Sequence, residues 1–120
     1  METFSMDEKG NIRRDLISAE ELCAWADAYQ KAFFPRHDPK CDILIVDNAG
    51  GPACFDHTTK IMYIEKAATV SEKLSRILLL HEMIHVNFIE DGQDPDQDHG
   101  FRFQAEVKRL FAAGAYSKLL

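Results

Sequence analysis

The 120-residue chain contains only three cysteines, and no two of them have the spacing of a C-x-x-C pair. Zinc ribbons and zinc fingers bind their ion through such paired cysteines. An odd number of unpaired thiols is typical of proteins in a reducing compartment, where disulfides are rare. Cys23, Cys41 and Cys54 are therefore predicted to be free thiols, and neither a zinc ribbon nor a disulfide framework is expected.

Long apolar runs are also missing from the chain. The strongest one, residues 77–80, is far shorter than the roughly 20 residues that a transmembrane helix needs. The opening stretch, "METFSMDEKG", lacks the basic segment and apolar run of a secretory signal. We therefore expect an intracellular, cytoplasmic protein that does not associate with membranes.

Clustered positive charge is the third absence. The formal net charge is −6, and the basic residues are scattered in isolated pairs such as Arg13–Arg14 and Lys108–Arg109. Tight binding to nucleic acid needs several clustered contacts to phosphate groups. Autonomous nucleic-acid binding is therefore not expected. The hydrophobic content of 46% is that of an ordinary globular domain, and the length suits one domain.

The polar, mixed composition of residues 1–17 predicts an irregular lead-in, followed by a single domain over residues 18–120. The first helix is predicted from "SAEELCAWADAYQKAFFP". Ser18 and Glu21 have the spacing of a capping box, and Pro35 ends the pattern. Apolar residues recur at helical spacing and predict a core-facing stripe of Leu22, Trp25 or Ala26, Tyr29 and Phe33.

A second, longer helix is predicted over residues 70–89. Thr69 and Glu72 have the spacing of another capping box, and Gly92 is the expected stop. The stretch "ILLLHEMIHVNFI" is apolar nearly all round, which indicates a central, buried helix. Polar residues inside such a helix need hydrogen-bond partners or a function.

Short β-rich segments precede this helix, and a third helix follows it. Residues 43–46 predict a strand, and residues 53–65 predict a hairpin with its turn at 56–59. Residues 100–113 have the periodicity of a helix that ends at Gly114. Its predicted buried stripe consists of Phe103, Val107, Leu110 and Phe111. The predicted fold is α+β, with a small antiparallel sheet packed on a central helix between flanking helices.

The central helix contains the sequence "HEMIH", which has the form H-E-x-x-H. Residues four apart lie on one face of a helix, so His81 and His85 can direct their ring nitrogens at one metal ion. Glu82 is rotated by about 100° from His81. A glutamate in this position can act as a base toward a water molecule rather than as a ligand.

A hydrolytic zinc site has three protein ligands and an open fourth position. His99, at the junction between a loop and the last helix, is the favoured third ligand, and Glu106 is the competing one. A structural alternative treats the first two histidines as core residues bonded to their neighbours. His37 and His57 lie in predicted turns and are not expected to be ligands.

The loop over residues 90–98 is strongly acidic. Asp94, Asp96 and Asp98 alternate like the first ligands of a calcium loop, but Ala105 stands where such a loop has its glutamate. Calcium is thus the weaker hypothesis. Other hypotheses are that Asp98 caps the last helix or orients a ligand histidine, and that the loop is a flexible lid.

The spaced motifs "HEMIH" and "DHGFRF" resemble the SprT-like zinc metallopeptidase domain, whose pattern is H-E-x-[IL]-H followed by H-G-x-x-F. The preceding "AGGPACFDHTTKIMYIE" is similar to the hairpin of that family. The resemblance covers residues 42–110 and includes three separated elements in the right order.

This resemblance implies a minimal zincin-like fold with one zinc ion bound by His81, His85 and His99, and with Glu82 as the catalytic base. Members of the Spartan branch cut proteins crosslinked to DNA and use added zinc-ribbon or basic regions. The present chain has neither, so a DNA-linked substrate would require a targeting partner.

The expected function is that of a zinc-dependent metallopeptidase acting on a protein or peptide substrate. The alternative is a zinc-binding regulatory or protein-interaction module with little proteolytic activity. A purely structural zinc domain is disfavoured because structural sites usually include cysteine thiolates. Tyr63 and Tyr116 are candidates for assisting the oxyanion, although packing roles are also predicted for them.

Overall fold

The computed structural model describes residues 5–6, 12–13, 16–40, 42–93, 99–117 and 119. Within them the chain has the predicted α+β fold, with three α-helices and a three-stranded sheet. In chain order, the elements are β1 (Ser5–Met6), β2 (Ile12–Arg13), α1 (Ala19–Phe33), β3 (Asp42–Val46), β4 (Ala53–Asp56), β5 (Ile61–Glu65), a 3-10 helix (Lys66–Val70), α2 (Glu72–Glu90) and α3 (Phe101–Ala112).

Strands β1 and β2 form a short antiparallel pair, in which Met6 lies opposite Ile12. This pairing differs from the irregular lead-in that the composition predicted. Strands of two residues are too short to show an alternating pattern, so the sequence carried no signal for them. The chain then joins the core at Ile17, which is buried and donates its backbone N–H to the Thr69 carbonyl over 3.1 Å.

Helix α1 begins at the predicted capping box. The Ser18 hydroxyl accepts a bond from the Glu21 backbone N–H at 3.1 Å, and the Glu21 carboxylate accepts one from the Ser18 N–H at 3.4 Å. The helix ends at Phe33, two residues before Pro35. Its buried face includes Leu22 and Tyr29, in agreement with the predicted apolar stripe.

The three longer strands form a mixed sheet in the order β3-β5-β4. Met62 of β5 lies opposite Phe55 in an antiparallel pairing with β4 and opposite Ile43 in a parallel pairing with β3. The prediction of an antiparallel sheet was therefore wrong for β3. The chain reverses direction over residues 47–52 and again over 57–60. Because β5 then inserts between the two earlier strands, it runs parallel to one and antiparallel to the other.

Helix α2 begins two residues later than predicted, with a different cap. The Ser71 hydroxyl accepts a bond from the Leu74 backbone N–H at 3.2 Å. Thr69, the predicted cap, lies buried in the 3-10 helix and donates its hydroxyl to the Lys66 carbonyl at 2.6 Å. The predicted stop is confirmed, because the helix ends at Glu90 and Gly92 has a positive φ of 75°.

Helix α2 lies at the centre of the fold and packs on α1, α3 and the sheet. Four of its buried residues are polar. The Ser75 hydroxyl donates to the Ala68 carbonyl, and the Asn87 amide bonds to Gln30. These bonds hold α2 against the 3-10 helix and α1. The other two buried polar residues, Glu82 and His85, belong to the H-E-x-x-H motif. None of the described helices is long and apolar enough to cross a membrane.

Helix α3 follows Gly100 and ends before Gly114, which has a positive φ of 89° and so confirms the predicted stop. Phe103 and Leu110 are buried as predicted. Phe111 was expected in the same buried stripe, but its side chain is 61% exposed. The buried face of α3 is narrower than the sequence suggested, because α2 is the element with which it makes its main contacts within the described ranges.

Candidate metal centre

Three imidazole rings converge where α2 faces the start of α3. His81 and His85 lie one turn apart on α2, and His99 comes from the segment just before α3. The Nε2 atom of His99 lies 3.1 Å from that of His81 and 3.0 Å from that of His85. The metal-binding atoms of all three residues lie within 4.8 Å of one another. The predicted trio is thus close enough to bind one metal ion.

The donor set fits a cation of the zinc type. A neutral imidazole has one nitrogen free to accept a proton or bind a metal, and zinc commonly binds to such nitrogens. Two rings can form an N–H···N hydrogen bond. A third ring nitrogen directed at the same point then places its lone pair against that of another nitrogen. A positive ion at that point relieves this repulsion. Among the described residues, this trio is the group of side chains arranged to bind a metal ion.

Phe103 supports the three rings from α3. Its ring centroid lies 4.8 Å from those of His81 and His85, and 4.9 Å from that of His99. Phe103 is buried, whereas His99 is exposed. The phenyl ring therefore closes the apolar side of the cluster and restricts the orientations of the imidazoles. The sequence predicted Phe103 as a core residue but gave no signal of this contact.

The surroundings of His81 keep its ring uncharged. Burial, followed by repulsion from His85 and His99, lowers the pKa of His81 to about 4. A protonated ring cannot bind a metal ion, and two protonated rings at this separation repel each other. At neutral pH His81 is therefore in the deprotonated form that binds metal.

Glu82 follows His81 on α2 and is almost completely buried. Its Oε2 atom has no hydrogen-bond partner among the described residues. Burial raises the pKa of Glu82 to about 7, which is the range of an effective general base. A buried carboxyl oxygen without a partner destabilises a fold, which makes Glu82 a candidate functional residue of α2.

Cys54 of β4 shows which side of α2 the Glu82 carboxyl group faces. The pKa of the Cys54 thiol is raised by burial and then by the negative charge of Glu82. Helix α2 packs against β4, which is an edge strand of the sheet. Glu82 is therefore near this edge of the sheet. The sequence carries no signal for the proximity of Glu82 to β4, because the order of the strands in the sheet determines it.

The competing ligand and the other histidines lie elsewhere. Glu106 forms an ion pair with Arg109 and lines a separate cavity. His57 is exposed in the turn between β4 and β5, as predicted. His37 is partly buried, and its Nε2 atom lies 2.6 Å from the Asp91 carboxylate. None of these side chains joins the trio of histidines.

Several sequence predictions concern residues outside the described ranges, namely Asp94, Asp96, Asp98 and Cys41. The calcium, capping and lid hypotheses for the acidic loop therefore stay predictions. Cys23 and Cys54 are free thiols, as expected. The Tyr116 ring packs near Phe111 with centroids 6.3 Å apart, which agrees with a packing role.

Comparisons of the chain with protein-family models, curated proteins and solved structures gave no match. The resemblance to SprT-like metallopeptidases therefore rests on the motif residues and their spacing.

Proposed function

We propose that the chain is a zinc-dependent metallopeptidase in which His81, His85 and His99 bind the ion and Glu82 acts as the general base. The observation that carries this proposal is the convergence of three imidazole nitrogens, two of them on the helix that also bears the buried Glu82, whose Oε2 atom has no hydrogen-bond partner among the described residues. A metal site alone would not need Glu82, and a structural core would not keep it.

The composition of the trio favours a catalytic ion over a structural one. Three nitrogen ligands leave one position of a tetrahedral ion open, whereas structural zinc sites usually close with cysteines. When bound, zinc would activate a water molecule and polarise the scissile carbonyl group. Cys54 is not in the group of ligand atoms around the trio.

The role of Glu82 is to move one proton. Its carboxylate accepts a proton from the attacking water while a new carbon–oxygen bond forms at the peptide carbonyl. The same carboxyl group then donates that proton to the departing amine nitrogen as the carbon–nitrogen bond breaks. Burial raises its pKa to about 7, and a group titrating near neutral pH can take up and release a proton at comparable cost.

Strand β4 is the surface on which we place the substrate. It pairs on one side with β5, and its other edge is not paired with a described strand. An extended peptide can add to such an edge through main-chain hydrogen bonds, which favour peptides over compact proteins and confer little sequence specificity. The proximity of Cys54 to Glu82 puts this edge on the side of the proposed base.

The test compares the wild-type protein with the Glu82→Gln variant, each analysed for zinc content and for hydrolysis of an unfolded protein such as casein. The substitution keeps the size of the side chain and removes its basicity. We expect unchanged zinc content and a loss of hydrolysis of a hundredfold or more, roughly the contribution of a general base.

Glu90→Gln is the matched control, because Glu90 ends the same helix and forms a surface ion pair with Lys60. It should keep both zinc and activity. If zinc-loaded wild-type protein does not hydrolyse any peptide, or if Glu82→Gln is equally active, the peptidase proposal fails. Retained zinc without hydrolysis would instead favour the regulatory zinc-binding module.

A further inference from the structure

A second cavity lies away from the histidines, on the side of α2 that faces α1 and α3. It has a volume of about 400 Å³, within the range of sites for small molecules. Its apolar wall is formed by Phe33, Phe34, Ile84 and Phe88. No residue of the three-stranded sheet and none of the three converging histidines lines it. The cavity is therefore distinct from the proposed catalytic site.

Buried amide groups fix one wall of this cavity. The Gln30 side-chain amide donates to the carbonyls of Phe34 and His37, at 2.8 and 2.9 Å, and its Oε1 atom accepts a bond from the Asn87 amide at 3.1 Å. Both amide side chains are buried. These bonds attach the chain after α1 to the last turn of α2, so the cavity is formed before any ligand enters.

The opposite wall is attached to α3. Arg109 donates to the Phe33 carbonyl at 2.8 Å and forms an ion pair with Glu106. Asp91, which also lines the cavity, accepts a bond from Arg36 at 3.0 Å. Each arginine is thus held in place by one carboxylate, while the remaining N–H groups of a guanidinium can serve other acceptors.

In both ion pairs at this cavity, the arginine side chain is more exposed to solvent than its carboxylate partner. The Arg36 side chain is 78% exposed, whereas its partner Asp91 is 21% exposed. The Arg109 side chain is 47% exposed, and its partner Glu106 is 22% exposed. Each carboxylate therefore orients the guanidinium group of a more accessible arginine. An anion approaching the cavity would meet the arginines before it meets the acids.

We propose that this cavity binds a small amphipathic carboxylate, with its apolar body against the phenylalanine wall and its carboxylate at Arg36 and Arg109. Aromatic and aliphatic walls stabilise the body through burial of apolar surface, and guanidinium groups bind carboxylates through paired N–H bonds. A cationic ligand of the same shape is disfavoured by the more accessible arginines. This site does not depend on the proposed peptidase activity.

The test is a titration of the full-length, zinc-loaded protein with phenylbutyrate, followed by amide chemical shifts and by calorimetry. Phenylbutanol is the matched uncharged probe. We expect saturable binding of phenylbutyrate, with shifts centred on Phe33 and Phe88. Phenylbutanol should bind at least about tenfold more weakly than phenylbutyrate, because it lacks the charged group that the arginines bind.

Variants identify the groups involved. Arg36→Gln and Arg109→Gln should each weaken phenylbutyrate binding about tenfold. Arg102→Gln, an exposed arginine of α3 that does not line the cavity, should leave it unchanged. If Arg109→Gln fails to fold, Arg36→Gln still decides the question, because Arg36 is largely exposed.

Four results would overturn the proposal. The first is no saturable binding of phenylbutyrate. The second is equal binding of the acid and the alcohol, which would leave the arginines without a role. The third is a set of shifts centred on His81 and His99, which would show the carboxylate binding at the metal ion. Binding of an apolar peptide with blocked ends, but not of phenylbutyrate, would also overturn it and indicate a protein partner.

Discussion

The Nε2 atom of His99 lies 3.0 Å from that of His85, although the two residues are 14 positions apart in the chain. The first is exposed before α3, and the second is buried within α2. These two imidazole rings bring α2 and the start of α3 together at one point. It links the fold to the proposed chemistry, since the segment that supplies the third ligand is also the one that begins α3.

Replacing Phe103 by alanine should destabilise both the fold and the metal site. The side chain is buried and contacts all three imidazole rings, so its removal leaves a cavity beneath them. We expect a loss of about 3–5 kcal/mol in the free energy of unfolding. Zinc affinity should fall about tenfold or more, because the rings lose the surface that orients them. Denaturant unfolding and competition with a zinc chelator measure the two effects.

Phe111→Ala provides the control for this substitution. It removes the same side chain from the same helix, but Phe111 is 61% exposed. Its effect on unfolding should stay within about 1 kcal/mol, with zinc affinity unchanged. Equal effects of the two substitutions would refute a specific role for Phe103 beneath the histidines.

In the metal-free protein, the burial of Glu82 should make the free energy of unfolding fall as the pH rises. Burial raises its pKa from 4.5 to about 7, so the folded state keeps its proton where the unfolded state has lost it. The contribution of this bound proton to the free energy of unfolding is fully present below pH 4.5 and is lost as the pH rises through 7. Relative to wild type, Glu82→Gln should therefore gain about 3 kcal/mol between these limits.

Chelator-treated wild-type and Glu82→Gln proteins, unfolded at several pH values, provide this comparison. Taking the difference between the two proteins cancels the titration of groups they share, including the histidines. A difference in unfolding free energy that stays constant from pH 4.5 to 7.5 would mean that the Glu82 carboxyl group is not desolvated in the fold.

Phe101 is expected to contribute to substrate binding. It is 89% exposed and lies two residues after His99, at the first position of α3. Burial of such a ring against a peptide side chain would be favourable. If the chain is a peptidase, Phe101→Ala should lower kcat/KM about tenfold, mainly through KM, and change stability by less than about 0.5 kcal/mol. Phe111→Ala, about 15 Å further along the same helix, is the matched control. An unchanged KM would exclude this contact.

Local signals in the sequence predicted the helices well. The Ser18 and Glu21 capping box is formed, and Gly92 and Gly114 have the positive φ angles of helix stops. The convergence of the histidines was also predicted, because i and i+4 spacing fixes the first two and a short connection limits where His99 can lie. Each of these features depends on residues close in the chain.

Features that depend on distant residues were not predictable in this way. Strand β3 runs parallel to β5 because β5 inserts between two earlier strands, and alternation along a strand carries no information about strand order. The cap of α2 shifted from Thr69 to Ser71 because a 3-10 helix precedes it. The second cavity depends on contacts such as the bond from Arg109 to Phe33, 76 residues apart.

The most direct test of the account is the zinc content of the purified chain and of its variants His81→Ala, His85→Ala, His99→Ala and Glu106→Ala, measured by elemental analysis after loading and dialysis. We predict about one zinc per chain in the wild-type protein and in Glu106→Ala, and a loss of bound zinc in each histidine variant. Retention of zinc in His99→Ala with loss in Glu106→Ala, or no binding by the wild-type protein under any loading condition, would contradict the three-histidine metal centre.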